Sequence, residues 1–176
     1  ANQSTYVASS ANFNNRPSMI GDGNDCLIAT AWATPPPTTG TWFVVTKTAA
    51  GGTRWFLGDV AAGHLQFYRL VNAPYSVAWR QDTALYANFA DGETDPHIYC
   101  AEGNGASSKI YRDSLTATVT GDAGVVGGAK IDVVGAAGGG NGGEWCEIIG
   151  YSGVLSAANR ELVMRYLSTR YGIALV

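Results

Sequence analysis

Apolar residues recur along most of this chain with a period of two, in short runs set apart by Gly, Pro, Asn, Asp and Ser. That is the pattern of half-buried strands joined by turns. It predicts strands at 18–20, 26–30, 42–47, 54–58, 64–70, 75–80, 84–89, 97–100, 109–112, 115–120, 130–134 and 146–151. Within 64–70, Leu65, Phe67 and Arg69 alternate with Gln66, Tyr68 and Leu70. The run WFVVTK at 42–47 breaks the alternation, so this strand is expected to be covered on both faces. The breaks are as regular as the runs. They are GDGND at 21–25, the stiff Pro35-Pro36-Pro37 loop, AAGGT at 49–53, ADGETD at 90–95, EGNGASS at 102–108, Asp113-Ser114 and AAGGGNGG at 136–143. Short strands about ten residues apart, with no alternating βαβ order, predict an all-β fold, a two-sheet antiparallel jelly-roll sandwich.

The period changes once, near the end. After the strand at 146–151 and the turn Ser152-Gly153, Leu162, Val163, Tyr166 and Leu167 fall on one helical face, with Arg160, Glu161, Arg165 and Thr169 on the other. Ser156 is placed to cap the helix N-terminus, and Gly172 to end the helix in the left-handed conformation. Glu161 and Arg165 have the i,i+4 spacing of a favourable pair. One C-terminal α-helix packed beside the sandwich is therefore expected. Residues 1–17, polar and rich in Asn and Ser, are expected as an extended arm, and 18–176 as a single domain.

Composition narrows the partners. Of 176 residues 46% are apolar and only 14% charged, with 23 glycines, which fits a globular, turn-rich chain. The formal net charge of −3 gives no basic footprint for nucleic acid or an anionic membrane. No apolar run approaches the ~18 residues of a membrane span, and ANQSTYVASSANFNNRPS carries no export-signal pattern. Cys26, Cys100 and Cys146 all lie in strand-like runs. They read either as free thiols packed like small apolar residues, or as one disulfide and one free thiol. No C-x-x-C and no zinc-type Cys/His spacing is present.

Three segments together resemble the concanavalin A-like lectin/glucanase superfamily, in its laminin G-like branch. NNRPSMIGDGNDCLIA is similar to the family's opening, with Asn-Arg-Pro, a strand and an Asp-Gly-x-Asn-Asp turn. SKIYRDSLTATVTG resembles its later hairpin, with Asp113-Ser114 where the family usually has Asn-Gly. EWCEIIGYSGVLSAANRELVMRYLSTRYGI resembles its closing strand, turn, Leu-Ser, helix and Arg-Tyr-Gly. The resemblance covers 14–30 and 97–173 and implies a concanavalin A-like jelly roll. It implies no single activity, because the fold hosts lectins, glycosidases, adhesion modules and virion proteins. The version with a small closing helix is similar to modules of bacterial surface proteins and of bacteriophage decoration and fibre proteins.

Catalytic sets are hard to find. Glucanases of this superfamily carry Glu-x-Asp-x-x-Glu on one strand, and the nearest segment here is Glu144-Trp145-Cys146-Glu147. In a regular strand that spacing puts the two carboxylates on opposite faces. His64 and His97 lie in strand runs without a G-x-S-x-G elbow, and AAGGGNGG is not followed by the lysine of a phosphate loop. No catalytic residue, resident metal or cofactor is assigned. Asp91, Glu93 and Asp95 alternate oxygen ligands and could hold calcium, although the loop is not an EF-hand. The Asp22, Asn24, Asp25 turn is explained by turn chemistry. For sugar binding, Trp55, Trp79 and Trp145 are the candidate platforms. The ligand-binding candidates are thus Trp55, Trp79, Asp91, Glu93 and Asp95.

These observations lead first to a non-catalytic virion surface module, a capsid decoration or fibre protein that stabilises the particle or mediates attachment. Its partners would be other virion proteins such as the major capsid protein, or further copies in a homo-oligomer such as a trimer. The alternative is a glycan-binding module of a secreted or cell-surface protein, which predicts an exposed Trp or Tyr beside the acidic loop. A glycoside hydrolase is the remote third.

Overall fold

The computed structural model describes residues 4–22, 26–28, 38–48, 54–58, 66–70, 75–89, 94–125, 133–135 and 142–176. The turn at 23–25, the proline run, the loops at 49–53, 90–93 and 136–141, and His64 lie outside the described residues.

Two antiparallel sheets form the sandwich. The first has seven strands in the order β1 (Thr5–Ser10), β2 (Arg16–Asp22), β13 (Gly142–Tyr151), β4 (Gly40–Thr48), β9 (Pro96–Gly103), β10 (Ser108–Arg112) and β11 (Val119–Gly121). The second has six, in the order β3 (Cys26–Ile28), β12 (Val133–Gly135), β5 (Arg54–Gly58), β6 (Gln66–Leu70), β7 (Tyr75–Arg80) and β8 (Ala84–Phe89). The helix α1 (Ala157–Tyr171) lies on the outer face of the seven-stranded sheet, making a third layer.

Strand β4 shows why three layers form. Trp42 and Val44 point into the core between the sheets, with Phe56, Phe67, Trp79 and Tyr99. Phe43 and Val45 point the other way, into a second core with Ile98, Cys100, Tyr111, Met164 and Leu167. The unbroken apolar run of WFVVTK thus reflects burial on both faces, as expected from its sequence.

The helix caps stand where the sequence puts them. Ser156 Oγ accepts from the Asn159 N–H at 3.3 Å, and Gly172, at φ 70°, donates to the Ser168 carbonyl at 2.9 Å. The buried face is rotated from the expected one. Met164, Leu167 and Tyr171 are buried and Val163 is partly so, while Leu162 is 66% and Tyr166 47% exposed. Met164, Leu167 and Tyr171 are themselves an apolar i, i+3, i+7 stripe, and Arg160 stands on the same side. Its guanidinium reaches Glu102 on β9 at 2.7 Å and sits 4.3 Å over the Tyr111 ring. The i, i+4, i+7, i+11 stripe of Arg160, Met164, Leu167 and Tyr171 thus faces the sheet.

The segment expected as an arm is folded onto the domain from Thr5 onward. β1 pairs with β2, and a short 3-10 turn at Ala11–Phe13 drives Phe13 into the helix-side core, edge-on to Tyr171 at 6.1 Å. One buried aromatic is enough to hold such a turn, at about 1.5–3 kcal/mol. The expected strand at 115–120 is also shorter. Residues 113–118 form bends, with Leu115 and Ala117 packed on the helix-side core, and only Val119–Gly121 pairs with β10. Asp113 takes a left-handed φ of 46°, a conformation that Asp and Asn tolerate in turns. Cys100 is buried and Cys146 half-buried, both as free thiols. Among the described residues no helix is long and apolar enough to cross a membrane.

Candidate functional site

The carboxylates come first, because a hydrolase would need them. A β-bulge between Trp145 and Glu147 makes Cys146 the extra residue. Glu144 then pairs with Lys47 and Glu147 with Val45, so both carboxylates lie on the same outer face of the seven-stranded sheet. The regular-strand expectation of opposite faces is corrected by this bulge. Neither carboxylate is open. Glu144 is 5% exposed and accepts from Ser18 Oγ and from Asn12 Nδ2 at 2.7 Å. Burial acts to raise its pKa, but hydrogen bonds from Ser10, Ser18 and Asn12, with the Lys47 charge, outweigh it and hold the carboxyl below the usual range. Lys47 Nζ closes the ring on Asn12 Oδ1 at 2.9 Å, beside a shallow pocket of about 250 Å³. Glu147 accepts from Tyr171 Oη at 2.8 Å and lies 3.4 Å from Arg170 Nε. Glu102 is taken by Arg160 and by Tyr111 Oη at 3.0 Å. Asp113 takes the Ile98 N–H at 2.7 Å and pairs with His97 Nδ1 at 2.5 Å. Each of these acids ties one element to another. Among the described residues no group of three His, Cys, Asp or Glu side chains is arranged to hold a metal.

The expected aromatic platforms move as well. Trp79 is completely buried, edge-on to Phe67 at 5.7 Å, so it is a core residue and not a ligand platform. The register explains this. Phe67, Trp79 and Leu85 form one cross-strand row, and that row faces the inner core. Trp145 is only 5% exposed. The Trp55 side chain, Asp91 and Glu93 lie outside the described residues, and Asp95 is exposed on a bend before β9.

The row beside Trp79 faces outward, and here the sequence reading missed a candidate. Tyr68 on β6, Ala78 on β7 and Tyr86 on β8 are directly paired, with the small Ala78 between two phenols. Tyr68 is buried and Tyr86 is 43% exposed. Burial, then the hydrogen bond with Tyr86, pushes the Tyr68 phenol far above its usual pKa, so it stays a protonated donor. The flanking rows add Gln66 with Arg80, and Ser76 with Asn88. Arg80 Nε donates to the Asp82 carbonyl at 3.1 Å, which holds its guanidinium along the β7–β8 turn. The face is closed towards β6 and open towards β8, the strand that leads into the acidic loop. The period-two pattern of ALYANF, with Leu85, Ala87 and Phe89 inward, carried the signal for Tyr86 and Asn88.

A second open feature runs along the solvent side of α1. It is a groove of about 500 Å³ lined by Arg16, Leu162, Arg165, Tyr166, Thr169 and Arg170.

No family model matches the chain, and no curated protein matches it. Solved structures do. Domain 4 of AbnA, an extracellular arabinanase from Geobacillus stearothermophilus solved with arabinotriose, superposes with a TM-score of 0.65 at 9% identity, over 95% of this chain and 82% of that one. A heptameric SAP-like pentraxin from Limulus polyphemus gives 0.60 at 12% identity, over 76% of this chain and 73% of that one. The enzymatically active domain of tailspike protein 2 from bacteriophage CBA120 gives 0.57 at 14% identity, over 97% of this chain but only 30% of that one. At such identities the likeness is one of fold, a two-sheet antiparallel jelly-roll sandwich with one C-terminal helix.

Proposed function

We propose that the chain is a non-catalytic recognition module of the laminin G-like branch, which binds a glycan on the outer face of its six-stranded sheet. The observation that carries this reading is the open edge formed by Tyr86, Arg80 and Asn88 over β7 and β8. An exposed ring gives a sugar an apolar face to stack on, and the amide and guanidinium supply planar hydrogen bonds beside it. Glu102, Asp113, Glu144 and Glu147, by contrast, are engaged in structural pairs, which supports binding over hydrolysis. In sequence the acidic run with Asp91, Glu93 and Asp95 follows β8, and calcium held by it would be part of this reading. Arabinotriose in the AbnA domain shows that a domain of this fold takes an oligosaccharide.

The setting we favour is a virion surface, as a decoration or fibre module, with the major capsid protein or further copies of the chain as partners. The exposed edge strand β1, with Tyr6 65% exposed, offers a pairing surface for that role.

A glycan array with and without calcium tests the binding. Hits that vanish in Tyr86→Ala and weaken in Asn88→Ala, at unchanged thermal stability, are expected. An array without hits in both conditions would sink the reading. Copurification with assembled particles tests the setting, and a chain found only as a free monomer would refute it.

A further inference from the structure

The groove on α1 is distant in the fold from the tyrosine face, because the seven-stranded sheet and the inner core lie between them. Its lining joins the two segments that most define the chain. Arg16 comes from NNRPS at the opening, and Arg165, Tyr166, Thr169 and Arg170 come from the closing helix. Three of the chain's 11 cationic side chains meet in this one depression, on a molecule whose formal net charge is −3.

The corner that delivers Arg16 is built with strain. Asn14 and Asn15 are consecutive left-handed residues, at φ 51° and 58°. Two such non-glycine residues in a row persist only where the surroundings over-determine them. Here Asn14 Nδ2 reaches the Arg170 carbonyl at 3.4 Å, and the Asn14 side chain packs against Gly172 at the helix end. The result is an exposed Arg16 that forms no ion pair among the described residues. The other two guanidiniums are oriented but not closed off. Arg165 is braced by Glu161 at 2.7 Å with its side chain 60% exposed. Arg170 holds Glu147 and Tyr171 through Nε and remains 39% exposed. Between them stand an exposed phenol, an exposed leucine and a threonine hydroxyl.

We propose that this groove is a second binding site, selective for a carboxylate-bearing sugar residue of an acidic polysaccharide. Planar guanidiniums match a carboxylate two hydrogen bonds at a time, which a neutral sugar cannot exploit. Tyr166 and Leu162 cover the apolar face of a pyranose ring, and Thr169 serves a ring hydroxyl. A volume of about 500 Å³ fits the range of sites for one or two sugar residues.

The test is calorimetric titration of the whole chain with trigalacturonic acid. Galactotriose, inorganic sulfate and an oligoglutamate peptide are the comparison probes. Trigalacturonate is expected to bind, with affinity falling as salt rises, and galactotriose to bind at least about tenfold more weakly. Arg16→Gln with Arg165→Gln should weaken trigalacturonate about tenfold or more, since a hydrogen bond to a charged group is worth that much. Tyr166→Ala should weaken it too, and all variants should keep the parent's thermal midpoint. Tyr86→Ala should leave trigalacturonate binding unchanged, which separates this site from the sheet face. Equal binding of galactotriose, equal binding of sulfate or oligoglutamate, loss in Tyr86→Ala, or full affinity in the double arginine variant would each overturn the proposal.

Discussion

Arg160→Met is the sharpest probe of how the helix is held. Glu102 is 2% exposed, and its carboxylate has three neighbours that can compensate it. Arg160 Nη1 lies at 2.7 Å, Tyr111 Oη at 3.0 Å and Lys109 Nζ at 4.0 Å. Removing one partner of a buried ion pair costs about 3–5 kcal/mol, because the remaining charge stays buried without compensation. Lys109 is 39% exposed and can move inward, and the Tyr111 hydroxyl remains, so the low end, about 3 kcal/mol, is expected. For a domain of this size that lowers the thermal midpoint by roughly 6–12 °C. Arg160→Met combined with Glu102→Leu should cost less than Arg160→Met alone. Exchanging both charges for apolar groups removes the buried charge, leaving only a Tyr111 hydroxyl without its acceptor, about 1 kcal/mol. The assay is urea unfolding followed by circular dichroism, with the coupling taken from the four-member cycle. An Arg160→Met variant within 1 kcal/mol of the parent, or a double variant no better than Arg160→Met alone, would refute the idea that this pair seats the helix.

Three further outcomes are expected. Leu167→Asp places a charge in the fully buried helix-side core and should unfold the domain or lower its midpoint severely, checked by the same unfolding curves. Glu144 has a folded-state pKa below its unfolded value, so its stabilisation is complete above the ordinary glutamate range and is lost as pH falls through the lower folded value. Glu144→Gln should therefore lower stability at neutral pH and flatten its acid decline, and an unchanged pH profile would contradict the hydrogen-bond account. Burial, then the charges of Glu144 and Glu147, pushes the Cys146 thiol up to about 12, so alkylation at pH 8 should be far slower in the folded chain than in denaturant, followed by mass spectrometry.

Most of the strand framework was legible because alternation and turn residues are local signals. Strands 54–58, 75–80 and 84–89 match β5, β7 and β8 residue for residue. What failed was decided by distant contacts. The helix offered two overlapping apolar stripes, Leu162, Val163, Tyr166 and Leu167 or Met164, Leu167 and Tyr171, and the buried one is the one that carries Arg160 to a glutamate 58 residues away. Within the segment expected as an arm, Thr5–Ser10 pairs as a strand and Phe13 packs on the end of α1, a contact between chain ends that no local pattern shows. The Glu144–Glu147 geometry turned on a bulge, which shifts parity by one residue and leaves no clear mark in EWCEII. For the site, residue type alone makes Trp79 a candidate platform, whereas the inward row of Phe67, Trp79 and Leu85 decides its fate.

The buried ion pair also bears on where function can sit. Docking α1 on the seven-stranded sheet closes the outer face of β4, β9 and β10. Among the described residues no helix covers the outer face of the six-stranded sheet, where Tyr86 and Asn88 on β8 are exposed. The helix contributes a second surface only because of its roll. With Leu162 and Tyr166 turned inward, the groove would lose the ring and the aliphatic side chain that line it. Arg160 instead stands on the sheet side and Tyr166 outside, 5.8 Å from the Arg170 guanidinium. The roll that leaves Tyr166 outside beside Arg170 thus buries the Met164, Leu167 and Tyr171 stripe together with the Arg160–Glu102 pair on the sheet side of α1.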